Sequence, residues 1–187
     1  MPLIRKLTLL LLAGCLLAAP LAVPAQAWIL RPSEAGLRYF YNHSFDLDHG
    51  ELVGSGLGFH LATPLHSGQW LRLDLELEVD VGGFANHDTG HEASLLPGLR
   101  VYLNPAGSWL PYLEGGFGVT YNDLGINELG TGFNFLSYAG LGLRLPLTGS
   151  TSLDLGYRLR HISNAGLDEN NHGVTSHQAQ AGLVWRF

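Results

Sequence analysis

The sequence predicts an all-β protein, an eight-stranded antiparallel transmembrane β-barrel. Its clearest segment runs from Leu71 to Val81, LRLDLELEVDV, in which apolar and charged residues alternate with a period of two. Seven further runs show a similar alternation, and the connections between runs are in turn short and long, as in bacterial outer-membrane barrels. These observations favour a closed sheet, because an open edge in lipid would leave backbone groups without hydrogen bonds.

The alternation places each strand in turn. The eight predicted strands cover residues 36–45, 52–63, 71–81, 93–103, 109–121, 132–145, 151–163 and 174–187. Three connections are short turns that contain Pro64, Pro105 and Pro146, which are 41 residues apart. The alternate connections, such as GFANHDTGHE and NDLGINELGT, are longer and more polar. Membrane strands of about 9–11 residues fit within these runs.

Aromatic residues support the membrane assignment. Trp70, Trp109 and Trp185 lie near predicted strand ends, where aromatic girdles occur. The last strand ends on Phe187, and a terminal aromatic resembles the signal used for outer-membrane assembly. The alternative is an exported soluble sandwich or lipocalin-like barrel. Such a protein would have to solvate the charged strand faces, whereas a barrel interior accommodates them with counter-charges.

The N-terminal segment predicts export. Residues 1–27 combine Arg5 and Lys6, an uncharged apolar run and the small-residue site Ala25-Gln26-Ala27, which is typical of a secretory signal peptide. Lipidation at Cys15 is the alternative. Cleavage after residue 27 would leave one domain, residues 28–187, with eight arginines, 16 acids and a net charge of −8. This charge argues against nucleic acid as a partner. We expect a location in a Gram-negative outer membrane.

The alternation also predicts which side of the seventh strand carries its polar end. Arg158 and Arg160 share the charged, interior face, so His161 and Ser163 continue the lipid-facing row. A chain that starts in the periplasm and crosses eight times places this strand end outside the cell. We therefore expect His161 and Ser163 beside the outer leaflet.

The run RHISNAGLDENNHG resembles the signature of the lipid A 3-O-deacylase (PagL) family. The match is specific from His161 to Gly173, and the rest of the chain matches in layout. The resemblance implies an outer-membrane esterase that removes the 3-hydroxyacyl chain at position 3 of lipid A, with Ser163 as nucleophile and His161 as general base. Asn164, Gly166 and Asn171 are the candidate oxyanion or substrate-binding residues.

One position departs from the family pattern. The family has a glutamate fourteen residues after the histidine, where this chain has Thr175. A threonine accepts a hydrogen bond from the imidazole but does not stabilise an imidazolium by charge. The alternatives are that Glu169 or Asp168 supplies the carboxylate, that Thr175 completes a dyad, or that the chain is a relative without full activity. The rival function is a non-catalytic barrel with a structural or binding role.

Other motifs carry weaker signals. His87 to Glu92, HDTGHE, contains metal-ligand residue types, but the segment is a Gly-containing loop rather than the helix that this spacing suits. Gly54, Gly56 and Gly58 precede no helix, which argues against a nucleotide site. We expect no metal or organic cofactor. The expected partner is lipid A or lipopolysaccharide, and no feature argues for a homodimer.

Overall fold

The computed structural model describes residues 31–45, 47, 50–85, 89–169 and 171–187. The predicted signal peptide and Cys15 lie outside the described residues. The strands are β1 (Glu34–Ser44), β2 (Val53–Ser67), β3 (Leu71–Ala85), β4 (Thr89–Leu103), β5 (Leu110–Asn122), β6 (Phe133–Pro146), β7 (Thr151–Ser163) and β8 (Val174–Arg186). Among the described residues, no helix has the length and hydrophobicity that a membrane crossing requires.

The sheet is a closed barrel in which every strand is antiparallel to its neighbours along the chain. β1 closes it by pairing with β8, from Glu34 opposite Arg186 to Ser44 opposite Ser176. The predicted fold class is confirmed. The closure leaves no strand edge unpaired, which is the condition that lipid imposes on a sheet.

Two connections are shorter than the sequence predicts. β2 continues to Ser67, through part of the predicted turn, because its pairing with β3 shifts register between Pro64 and His66. Such a bulge accommodates a proline that has no N–H to donate. β3 and β4 extend to Ala85 and from Thr89, so the polar run between them is largely paired strand.

The two ends of the barrel differ. The turn end carries the connections 68–70, 104–109 and 147–150, and the loop end carries 45–52, 86–88, 123–132 and 164–173. Outward residues of the strands are apolar and exposed, such as Leu57, Val81, Leu113 and Leu141. This exterior fits a lipid environment.

The barrel interior is filled by side chains in three layers. At the loop end lies an apolar cluster of Phe40, Leu52, Phe84, Leu96, Leu124, Leu129, Leu136, Tyr138, Ile162 and Val174. At the turn end lie Tyr102, Leu110 and Tyr112. Gly142 leaves space for the Tyr112 side chain, because a Cβ at this position would lie 2.3 Å from the Tyr112 hydroxyl.

The middle layer is a network of buried ion pairs. Arg158 donates to both carboxylate oxygens of Glu78 at 2.8 Å and from Nε to Glu114 at 2.7 Å. Arg100 joins Glu114 to Asp154, with distances of 2.8 and 2.7 Å. Because each arginine bridges strands that are distant in sequence, the network ties opposite walls of the barrel together. These pairs account for the charged inner faces of the strands except at Asp80, whose buried carboxylate oxygens have no hydrogen-bond partner among the described residues.

Replacing Arg158 by methionine should destabilise the barrel by about 3–5 kcal/mol, because Glu78 and Glu114 would keep buried charges without their main partner. The matched control is Arg186→Met. Arg186 also pairs with a glutamate, but its side chain is 57% exposed, so the expected loss is below about 1 kcal/mol. Urea titration of the protein in lipid vesicles measures both values. Equal losses would contradict a stabilising role for the interior network.

Candidate active site

The candidate site lies on the outer surface at the loop end of β7. His161 is exposed and Ser163 is half-buried, while the intervening Ile162 points into the apolar cluster. Arg158 and Arg160 are buried in the interior. The structure therefore places the imidazole and the hydroxyl on the same exterior face of one strand, two residues apart.

Thr175 lies directly across from His161 in the pairing of β7 with β8. Its Oγ1 lies 3.0 Å from Nδ1 of the imidazole. When the threonine oxygen accepts this hydrogen bond, the proton is on Nδ1 and Nε2 is free of a proton. That tautomer is the one a general base requires. The position beside the histidine, where the family pattern has a glutamate, is thus occupied by a hydroxyl.

Gly173 determines where the imidazole lies. It immediately precedes Val174, the residue of β8 that pairs with Ile162. A Cβ at Gly173 would lie 2.7 Å from Cε1 and 2.9 Å from Nε2 of His161. The ring therefore lies against the backbone of Gly173 and covers the space that a side chain there would fill. The backbone here has a φ of +76°, which also favours glycine.

Hydrogen bonds hold the loop 164–173 in place. Asn164 is fully buried, and its Nδ2 donates to the Leu129 carbonyl at 2.9 Å while its Oδ1 accepts from the Gly166 N–H at 2.8 Å. The Asn164 N–H donates to Oδ1 of Asn171 at 2.9 Å. This bond directs the Asn171 carboxamide so that its NH2 group is on the side away from Asn164.

The loop 123–132 clamps this site from within the barrel mouth, a feature that the sequence did not predict. Leu124 and Leu129 belong to the interior apolar cluster, and the Glu128 carbonyl accepts from the Gly173 N–H at 3.0 Å. At its start, a backbone hydrogen bond from the His91 N–H holds the pKa of Asp123 below its usual value. The apolar residues Leu124, Ile126 and Leu129 in a polar loop were the available signal.

The other predicted residues lie in the same loop. Glu169 is exposed and Asp168 is half-buried.

His87 and Asp88, part of the candidate metal segment, lie outside the described residues. Among the described residues, no group of three or more His, Cys, Asp or Glu side chains is arranged to hold a metal ion.

The two sides of the site differ in chemistry. Phe135 of β6 is the cross-strand neighbour of Ser163, and its ring centroid lies 5.8 Å from those of Phe117 and Phe133. We call these three residues the aromatic flank. On the β8 and β1 side, His177 and His43 are cross-strand neighbours. We call this pair the histidine flank.

The fold and the site together define an outer-membrane β-barrel that carries a serine, a histidine and a threonine on its exterior wall. Comparison with known proteins then gives the family. The profile of Lipid A 3-O-deacylase (PagL) matches residues 34–184, and the chain belongs to this family.

Individual relatives are more distant. Lipid A deacylase PagL of Bordetella bronchiseptica (strain ATCC BAA-588 / NCTC 13252 / RB50) is 31% identical over 115 residues, which are 57% of this chain and 60% of that protein. The match thus spans less than two thirds of the relative's length. The crystal structure of the outer-membrane enzyme PagL superposes with a TM-score of 0.61 at 22% identity, covering 80% of this chain and 97% of that one.

A protein of another name superposes equally well. Neisserial surface protein A (NspA) has a TM-score of 0.61 at 17% identity, covering 82% of this chain and 96% of that one. The barrel shape therefore does not distinguish between the two, whereas the residues at the loop end of β7 and β8 carry the chemistry.

Gly173→Ala should lower the lipid A deacylation proposed below by about 10²-fold or more, because the new methyl group would meet the His161 ring at 2.7 Å and the Ile162 carbonyl oxygen at 2.9 Å and so displace the ring. The matched control is Gly166→Ala. Both glycines have a positive φ, +76° and +87°, but a Cβ at Gly166 meets nothing within 4 Å. Mass spectrometry of lipid A gives both rates, and far-UV circular dichroism checks that both variants fold. Equal losses would mean that backbone strain, not displacement of the ring, is responsible.

Proposed function

We propose that this protein hydrolyses the ester at position 3 of lipid A and releases its 3-hydroxyacyl chain in the outer leaflet. The observation that carries the proposal is the position of the His161 ring. Its Nδ1 lies 3.0 Å from the Thr175 hydroxyl and its Nε2 edge lies over Gly173, while Ser163 lies two residues further along the same outward face of β7. Residues two apart on one face of a strand are separated by about 6.5–7 Å, so the His161 imidazole reaches the Ser163 hydroxyl when the two side chains lean towards each other.

The reaction follows the usual course of a serine esterase. The Ser163 oxygen attacks the ester carbonyl carbon while Nε2 of His161 accepts its proton. The tetrahedral intermediate collapses to an acyl-serine, and the sugar O3 leaves with the proton that His161 returns. A water molecule then attacks the acyl-serine with His161 again as base. This step releases the 3-hydroxy fatty acid and restores the Ser163 hydroxyl.

Asn171 is the donor we assign to the oxyanion. Its Oδ1 is engaged by the Asn164 N–H, which leaves its NH2 group to stabilise the developing negative charge. Asn164 and Gly166 have a different task in this assignment. Their mutual hydrogen bond shapes the turn that follows Ser163, and the Asn164 carboxamide ties that turn to Leu129.

Thr175 orients the imidazole without supplying charge. Replacing the acid of a serine triad lowers the rate by about 10⁴-fold in the well-studied protease case, so we expect a slow enzyme. Glu169 and Asp168 remain the alternative sources of a carboxylate, because they lie in the same loop 164–173. Loss of activity in Glu169→Gln, with activity retained in Thr175→Val, would favour Glu169.

The location of the site suits a lipid substrate. His161 and Ser163 face outward at the end of the barrel that we place at the extracellular surface, level with the outer leaflet. The reacting ester of lipid A lies at the junction of sugar and acyl chain, so it reaches the barrel wall without leaving the membrane. Beside Ser163, the half-buried Phe135 and the exposed Phe117 and Phe133 offer an apolar surface for the acyl chain.

Ser163→Ala should lower the rate of deacylation by at least about 10³-fold, because the nucleophile is lost. Ser137→Ala is the matched control: this serine faces the same exterior and lies directly across from His161 on β6. Purified, refolded proteins are incubated with lipid A in detergent micelles, and mass spectrometry follows loss of one 3-hydroxyacyl chain. Loss of activity in Ser137→Ala alone would identify the wrong serine, and folded wild-type protein without activity would favour the non-catalytic barrel.

Thr175→Glu should raise the rate by at least about tenfold, with about 10⁴-fold as the upper bound set by the protease comparison. The glutamate would place a negative charge beside Nδ1 of His161, where Thr175 now offers only a hydroxyl. Thr175→Gln has the same size without the charge and should show no such gain. An equal rate for the Glu and Gln variants would show that another group already supplies the charge.

A further inference from the structure

The loop end of the barrel has few cations for a phosphorylated headgroup. Its four connections, residues 45–52, 86–88, 123–132 and 164–173, contain no lysine or arginine and eight acids. The nearest arginine, Arg160, is buried and bonded to Glu92 in the interior. Lipid A is phosphorylated on its sugars, so a phosphate site here would use N–H and O–H donors of neutral groups or of histidines.

The histidine flank lies next to the candidate active site. His177 lies two residues along β8 from Thr175, on the same outward face, and His43 is its neighbour on β1. The Phe45 ring lies 4.4 Å from that of His177, between centroids, and Phe45 donates its N–H to the Thr175 carbonyl. The two imidazoles are thus fixed to the same strand pair that holds His161.

The tilt of the strands brings the histidine flank to the height of His161. Cross-strand partners can be followed from one strand to the next around the barrel. The row starts in the middle of β1 and reaches the loop end of the barrel at the first residue of β6. Its members are Tyr39, Leu57, Val81, Ala93, Tyr121 and Phe133. The same climb continues from β7 through β8 to β1. Leu159 lies two residues further from the loop end than His161, and it pairs with His177, which pairs with His43. The tilt across these two steps therefore brings His43 to about the level of His161.

The ring nitrogens of the pair are oriented. Nδ1 of His177 is bonded to the Tyr157 hydroxyl, and when that hydroxyl donates, the proton of the imidazole is on Nε2. Nε2 of His43 donates to Glu51 at 3.0 Å. The His177 Nε2–H is then a donor that faces outward, and the aromatic flank across Ser163 offers no comparable group.

We propose that His177, with His43 beside it, binds a phosphate group of lipid A and so directs the sugar towards β8 and β1 and the departing acyl chain towards the aromatic flank. This inference rests on the proposed function, because it assumes that lipid A docks at Ser163. It assigns the headgroup and the acyl chain to opposite sides of one serine.

The test compares bisphosphorylated lipid A with the same lipid A after enzymatic removal of its phosphates. Binding of each lipid is measured by native mass spectrometry in the Ser163→Ala protein, and hydrolysis of each in the protein with Ser163 intact. His177→Gln and His43→Gln each remove an imidazole but keep a polar side chain of similar reach. His91→Gln is the matched control, an exposed histidine at the same end on β4, four strands away around the barrel.

We expect at least fivefold preference for the phosphorylated lipid, seen in binding and in KM, and loss of that preference in His177→Gln with kcat little changed. His43→Gln should show a smaller loss and His91→Gln none. Unchanged preference in both flank variants would overturn the inference. So would a preference that persists in them but disappears on chelation of divalent cations, which would indicate an ion bridge to the acidic loops. Histidine-dependent binding without hydrolysis would support the phosphate site and overturn the deacylase proposal alone.

Discussion

The structure depends on one constraint, that a sheet in lipid must pair every backbone N–H and C=O within itself. Closure of β1 on β8 satisfies it, and closure divides each strand strictly into an inner and an outer face. Buried charges on the inner face are costly unless they are paired, and the network of arginines and acids pairs most of them. The outer face must be apolar where it meets lipid. Polar residues on that face, such as His161 and Ser163, are therefore not explained by the needs of the membrane.

The candidate site gains its precision from two sources. The β7–β8 ladder places His161 directly across from Thr175. The loop 123–132 then fixes the segment after Ser163 from inside the barrel, through the carbonyls of Glu128 and Leu129. In the proposed mechanism, the wall of the barrel supplies the general base and the loop 164–173 supplies the donor for the oxyanion.

Much of the fold could be predicted from the sequence, because the sequence signals for strands and their faces are local. A period of two gives strands and faces, so the barrel and the eight strand positions followed directly. Strand ends were less accurate, since the pairing of Ala85 and Thr89 depends on the partner strand. The clamp was missed because Asn164 and Leu129 are distant in sequence. The role of Gly173 was also hidden, since it depends on the direction in which a neighbouring ring leans.

The filled interior has a consequence for kinetics. With an apolar cluster at one end, ion pairs in the middle and tyrosines at the other, the described barrel is packed through its length. A lipid therefore meets the protein only by lateral diffusion in the plane of its leaflet, and both products of an ester cleavage enter the same plane. For the proposed hydrolysis of lipid A, the quantity that governs the rate is then the mole fraction of substrate among the surrounding lipids, and accumulating products compete for the same stretch of wall.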